Sequence, residues 1–112
     1  MKVAYNNTLS ILRGDSDSIV LNVTKEGVQV PFIDGDAVHF TVKTSFDSTT
    51  KLIHKIVSSF PEGKAVIALE PSDTNNLSFR PYKYDLKVVR NTGVVTTFSV
   101  GNFVLEQGVG DV

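Results

Sequence analysis

Pro81-Tyr82-Lys83-Tyr84-Asp85-Leu86-Lys87-Val88-Val89 is the stretch whose reading decides the fold. It alternates. Tyr82, Tyr84, Leu86 and Val88 point one way; Lys83, Asp85, Lys87 and Val89 point the other. A period of two marks a strand with one face buried. Pro81 stands at its mouth, where a missing N–H costs the ladder least.

Working back from this strand, Glu70 to Arg80 has Pro71, Asp73, two asparagines and no alternation. It reads as a crossover with one helical turn near Ser72-Asp73-Thr74. Before it, Lys64 to Leu69 is a strand facing inward with Ala65, Ile67 and Leu69. Phe60-Pro61-Glu62-Gly63 reads as a type I turn, with proline second and glycine fourth. Lys51 to Ser58 is a strand of open register, because Leu52, Ile53, Ile56 and Val57 support either face. Ser45 to Thr50 is a polar loop. Asp36 to Thr44 is a strand with Val38, Phe40 and Val42 inward and His39, Thr41 and Lys43 outward.

Further back, Val28 to Phe32 is a brief strand that Pro31 places at an edge. Lys25-Glu26-Gly27 is a short hairpin loop. Ser18 to Thr24 is a strand with Ile19, Leu21 and Val23 on one face. Thr8 to Arg13 is a strand ended by the turn formers Gly14-Asp15-Ser16-Asp17. Beyond Val89, Asn91-Thr92-Gly93 turns the chain into a last strand, Val94 to about Glu106. Its inward set begins Thr96, Phe98, Val100 and resumes Phe103, Leu105. Parity changes only if a residue is inserted, which predicts a β-bulge at Gly101-Asn102. Gln107 to Val112 reads as a frayed tail.

The chain of 112 residues fits one domain, 1–112, with one core. Seven or eight short strands with frequent turns predict an all-β, antiparallel sandwich with Greek-key connections. A tyrosine pair just after a non-hairpin crossover fits strand F of an immunoglobulin-like fold, where a tyrosine hydroxyl bonds back to upstream backbone.

Eleven basic and twelve acidic residues leave a net charge of −1 and give no reason to expect nucleic acid or an anionic membrane as partner. Zero cysteines exclude disulfides, thiolate catalysis and zinc–thiolate sites. No apolar run reaches the ~18 residues of a membrane span. The first seven residues lack the apolar core of a secretory signal.

Few constellations carry chemistry. Arg13-Gly14-Asp15 matches an adhesion tripeptide, but glycine followed by aspartate is also turn chemistry, which we expect here. Asp15/Asp17 and Asp34/Asp36 are acidic pairs without the third carboxylate a calcium loop needs. His39 and His54 accompany no Gly-x-Ser-x-Gly nucleophile elbow. Glu62, Glu70 and Asp73 have no spacing that makes a glycosidase pair. Neither a dinucleotide fingerprint nor a P-loop occurs. We expect no enzyme, no cofactor and no metal. Phe46, Phe60 and Phe79 fall in loops, either capping the sandwich or forming a ligand contact, with wall carbohydrate as the candidate ligand. In Lys51 to Ser58, Leu52, Ile53, Ile56 and Val57 cannot all face inward in a flat strand. Whichever pair faces out makes an apolar strip, read as a docking interface with itself or a partner. Tyr82, Tyr84, Gly14, Asp15, Gly93 and Gly101 are read as structural.

The order of short motifs resembles a known family. Ile11-x-Arg13-Gly14-Asp15, Ile19-x-Leu21-x-Val23, Asp34-Gly35-Asp36-x-Val38-x-Phe40-x-Val42-Lys43, Leu69-x-Pro71-x-Asp73-Thr74-x-x-Leu77, Tyr82-x-Tyr84-Asp85-Leu86 and Val95-Thr96-Thr97 follow one another. Together they resemble the N-terminal immunoglobulin-like domain of baseplate upper proteins of phages of Gram-positive bacteria, and related small tail-module proteins. The resemblance spans about Ile11 to Phe103. It implies a viral structural protein of the virion tail, made in the host bacterial cytoplasm, whose partners are other tail or baseplate proteins. No coiled coil or receptor-binding region follows before Val112, which favours an adaptor role over direct host binding.

Overall fold

The computed structural model describes residues 2–3, 8–21, 24–25, 28–29 and 31–107. Among them are strands β1 (Lys2–Val3), β2 (Leu9–Leu12), β3 (Asp17–Leu21), β4 (Thr24–Lys25), β5 (Val28–Gln29), β6 (Ala37–Lys43), β7 (Ile53–Val57) and β8 (Ala65–Leu69). The short helix α1 (Pro71–Thr74) precedes β9 (Pro81–Val89) and β10 (Val95–Glu106). Lys25, expected in a loop with Glu26 and Gly27, pairs with Val28; Glu26 and Gly27 lie outside the described residues, as do Val23, Val30 and the tail from 108 onward.

The fold is all-β. β9 lies within a six-stranded sheet of order β1-β2-β10-β9-β6-β7, and β3 pairs with β8 in a second sheet. The two pack as a sandwich around one apolar cluster. Tyr82, Tyr84, Leu86 and Val88 of β9 join Val38, Phe40 and Val42 of β6 and Phe103 and Leu105 of β10. They face Ile19 of β3 and Ala65, Ile67 and Leu69 of β8. On β6, β8 and β9 the alternation of apolar residues marks the buried face. Within the cluster Phe40 tilts against Tyr84 at 5.9 Å and meets Phe103 edge-on at 6.0 Å, the offset geometry that aromatic pairs favour. Phe32, not expected in the core, is buried too.

Three expectations are corrected. First, the sheet is not purely antiparallel: β2 runs parallel to β10, with Leu9 opposite Phe103 and Leu12 opposite Glu106. Second, the bulge is not at Gly101-Asn102. The register shifts between Thr97 and Ser99, so Phe98 is the extra residue. Ser99 then faces inward opposite Leu86, and Val100 turns outward. The cause is polar. Tyr84 carries its hydroxyl into the core, and the Ser99 hydroxyl meets it at 2.8 Å. A pattern read from apolar residues alone misses a serine placed inside to satisfy a tyrosine. Third, Phe60–Gly63 is not a type I turn. Glu62 has φ 58°, whereas both central residues of type I have negative φ.

Candidate functional site

The Arg13-Gly14-Asp15 turn is held by the crossover that leads into β9. The Gly14 amide donates to the Thr74 hydroxyl at 2.8 Å, and Thr74 is fully buried at the end of α1. Gly14 has φ 85°, a conformation that glycine alone adopts cheaply. Arg13 donates to the Leu77 carbonyl at 3.3 Å and lays its guanidinium over the Phe79 ring at 4.1 Å. An adhesion tripeptide presents its arginine to a receptor; this arginine is committed to its own chain. Only Asp15 stands exposed. The tripeptide forms a turn that these contacts fasten to the crossover.

From the same crossover, the Tyr82 hydroxyl donates to the Ser78 carbonyl at 2.7 Å. The Asp73 carboxylate takes the Glu70 amide at 2.7 Å, capping α1, and pairs with Lys55 of β7 at 3.0 Å. The strand, the turn and the crossover therefore form one hydrogen-bonded corner.

At another place the acidic pair Asp34/Asp36 divides. Asp34 is exposed, while Asp36 is buried and accepts the amides of Ile33 at 3.0 Å and Asn91 at 2.9 Å and the guanidinium of Arg90 at 2.9 Å. Burial works to raise the Asp36 pKa, but these hydrogen bonds and the Arg90 charge outweigh it and hold the carboxyl below its ordinary value. Gly35 packs so closely on Asn91 that a Cβ at Gly35 would sit 2.7 Å from the Asn91 Cβ. Asp36 thus ties the β6 entry to the β9–β10 hairpin, which Gly93 closes with φ 90°. Gly101 pairs with Tyr84 across the ladder and is not the bulge. Among the described residues no group of three metal-ligating side chains comes together.

The loop phenylalanines are engaged separately. Phe60 stacks on Phe32 at 4.9 Å and is half-buried, and Arg90 covers Phe32 at 5.0 Å. Phe79 lies under Arg13. Phe46, 56% exposed, has the Lys83 ammonium 5.6 Å from its ring. All three rings thus have a partner on this chain, and Phe46 is the most exposed of them.

On β7 the register is set by Val42 opposite Ile53 and Val38 opposite Val57. Ile53 is buried, and Leu52 and Val57 pack on the core. An outward pair among these four was expected to make an apolar strip, but only Ile56 points out, at 57% exposed. Lys55 lies on the inner side of the strand and reaches Asp73. The strip is therefore corrected to a patch of different membership. Ile56, Val57, Ser58, Ser59, Pro61 and Val66 line one shallow groove between β7 and β8. Val66 is exposed and pairs with exposed Val20 of β3. Sequence reasoning missed Val20 and Val66 because it read each strand alone. Their signal was the exposed parity of β3 and β8, where valine takes a position usually polar. β7 itself ends the large sheet and has no pairing strand on its far side among the described residues.

The outer face of the large sheet holds the histidines. His54 is paired with Thr41, so His39 and His54 are diagonal neighbours on adjacent strands. His39 Nδ1 lies 3.4 Å from His54 Nε2. They border a depression of about 220 Å³ with Thr41, Lys43, Lys51, Asp85 and Lys87. Partial burial, Lys51 and His39 together push the His54 pKa below its ordinary value, with Asp85 opposing.

No protein-family model, curated protein or solved structure matches this chain. The class that can be stated is an all-β sandwich whose β7 edge has no pairing strand among the described residues.

Proposed function

We propose that this protein is a non-enzymatic, immunoglobulin-like module of a phage tail or baseplate, an adaptor that docks on other tail proteins. The ordered motifs from Ile11 to Thr97 support the phage reading, as a resemblance. The Tyr82–Ser78 bond supports the immunoglobulin-like, Greek-key reading, because a tyrosine at the start of strand F bonds backbone a few residues upstream in that fold. The pairing of β3 with β8 opposite β10-β9-β6-β7 agrees with strands B and E facing G, F, C and C′.

The observation that carries docking is the β7 edge beside Ile56, Val66 and Val20. An open edge presents unpaired N–H and C=O groups, and apolar side chains beside it add area that a partner can dry. Virion location follows from this reading. The test is to express the chain with each tail or baseplate protein encoded beside it and measure complex formation by size exclusion with light scattering. A stoichiometric complex with one of them is expected. A chain that remains alone with all of them contradicts the proposal.

A further inference from the structure

We infer that His39 and His54 form a chelating site for a transition-metal ion of the zinc class on the outer face of the β6–β7 ladder. The two ring nitrogens are 3.4 Å apart. That distance also allows one ring to donate a long hydrogen bond to the other when no ion is bound. It matches the separation of about 3.3 Å that two imidazole nitrogens take at tetrahedral angles around zinc, each ~2.0–2.1 Å from the ion. Both residues sit on paired strands of one sheet, so the backbone already fixes their spacing.

A ligand nitrogen must be unprotonated to bind. The depression beside the pair leaves room for water to complete the coordination shell. The charged groups around it are Lys43 of β6, Lys51 in the loop before β7, and Asp85 and Lys87 of β9. Asp85 favours a cation and the three lysines oppose it. Two protein ligands in that field make a site of modest affinity, with the ion's other positions open. Imidazole suits zinc, nickel and copper ions and not calcium or magnesium.

The experiment titrates Zn²⁺ into the 112-residue chain by calorimetry in a non-chelating buffer at about pH 7.5. It is repeated with His39→Ala and His54→Ala, each checked by its thermal midpoint. One ion per chain with micromolar dissociation is expected. Each substitution should weaken binding roughly tenfold or more, since a lone imidazole loses the chelate. Binding to the wild type should weaken in acid too, because protons then compete with the ion for the ring nitrogens. Three results overturn the site: wild-type dissociation weaker than about millimolar, unchanged affinity in either variant, or binding that does not weaken in acid.

Discussion

Tyr82 donates its hydroxyl to the carbonyl of Ser78, 2.7 Å away, and so joins the first residues of β9 to the chain that delivers them. The ring is 2% exposed, and the phenolic hydrogen bond satisfies the one polar atom that burial would otherwise strand. Tyr82→Phe should lower stability by about 1 kcal/mol, as loss of one buried hydrogen bond does. Tyr84→Phe should cost a similar ~1 kcal/mol by leaving the Ser99 hydroxyl without its partner. Urea unfolding of the two variants measures this directly. An unchanged midpoint for Tyr82→Phe would remove the corner from the account.

The Gly14–Thr74 bond predicts that the tripeptide is structural. Thr74→Val keeps the shape, removes the acceptor, and should cost about 1–2 kcal/mol because the Gly14 amide is left partly buried and unmet. Asp15→Ala touches an exposed side chain and should change stability by less than about 0.5 kcal/mol. Thermal melts of both variants separate these outcomes.

Asp36 should be the residue through which acid weakens the fold. Its carboxyl is held below the ordinary value of 3.8 in the folded chain. A depressed acid stabilises the folded state above its unfolded pKa, and that contribution fades as pH falls through the folded one. Asp36→Ala should therefore cost about 2–3 kcal/mol at neutral pH by stranding three donors. The gap between variant and wild type should narrow as pH drops below 3.8. A gap that is constant with pH would show that the carboxylate's charge is not what Arg90 and the two amides hold.

His54 should titrate below 6.5 by NMR. Its partial burial is the main cause and Lys51 the next, so Lys51→Gln should move the value upward, while Asp85→Asn should move it further down. No movement with Lys51→Gln would mean that this lysine does not face the ring.

Much of the fold was legible because single residues decide it. Val38, Phe40 and Val42 alternate without exception and all three are fully buried. The β9 alternation holds in the same way, and the helical turn in the crossover falls where Pro71 and Asp73 favour it. What escaped depends on pairs of residues far apart in the chain. The bulge at Phe98 follows from the Tyr84 hydroxyl, Asp36 from Arg90 and Asn91, and the inward Lys55 from Asp73. None of these partners lies within one window of sequence. The same limit hid the docking patch, since Val20 and Val66 become neighbours only when β3 pairs with β8.

The central claim is that the protein works by docking through the β7 edge and the patch of Ile56, Val66 and Val20. The most direct measurement is the affinity of the Ile56→Asp, Val66→Asp double variant for the tail partner that binds the wild type. Both side chains are exposed, at 57% and 46%, so the thermal midpoint should stay near that of the wild type. Two charges buried without partners in a dried interface should weaken binding by at least about a hundredfold. A double variant that folds and binds the partner as tightly as the wild type would contradict the account.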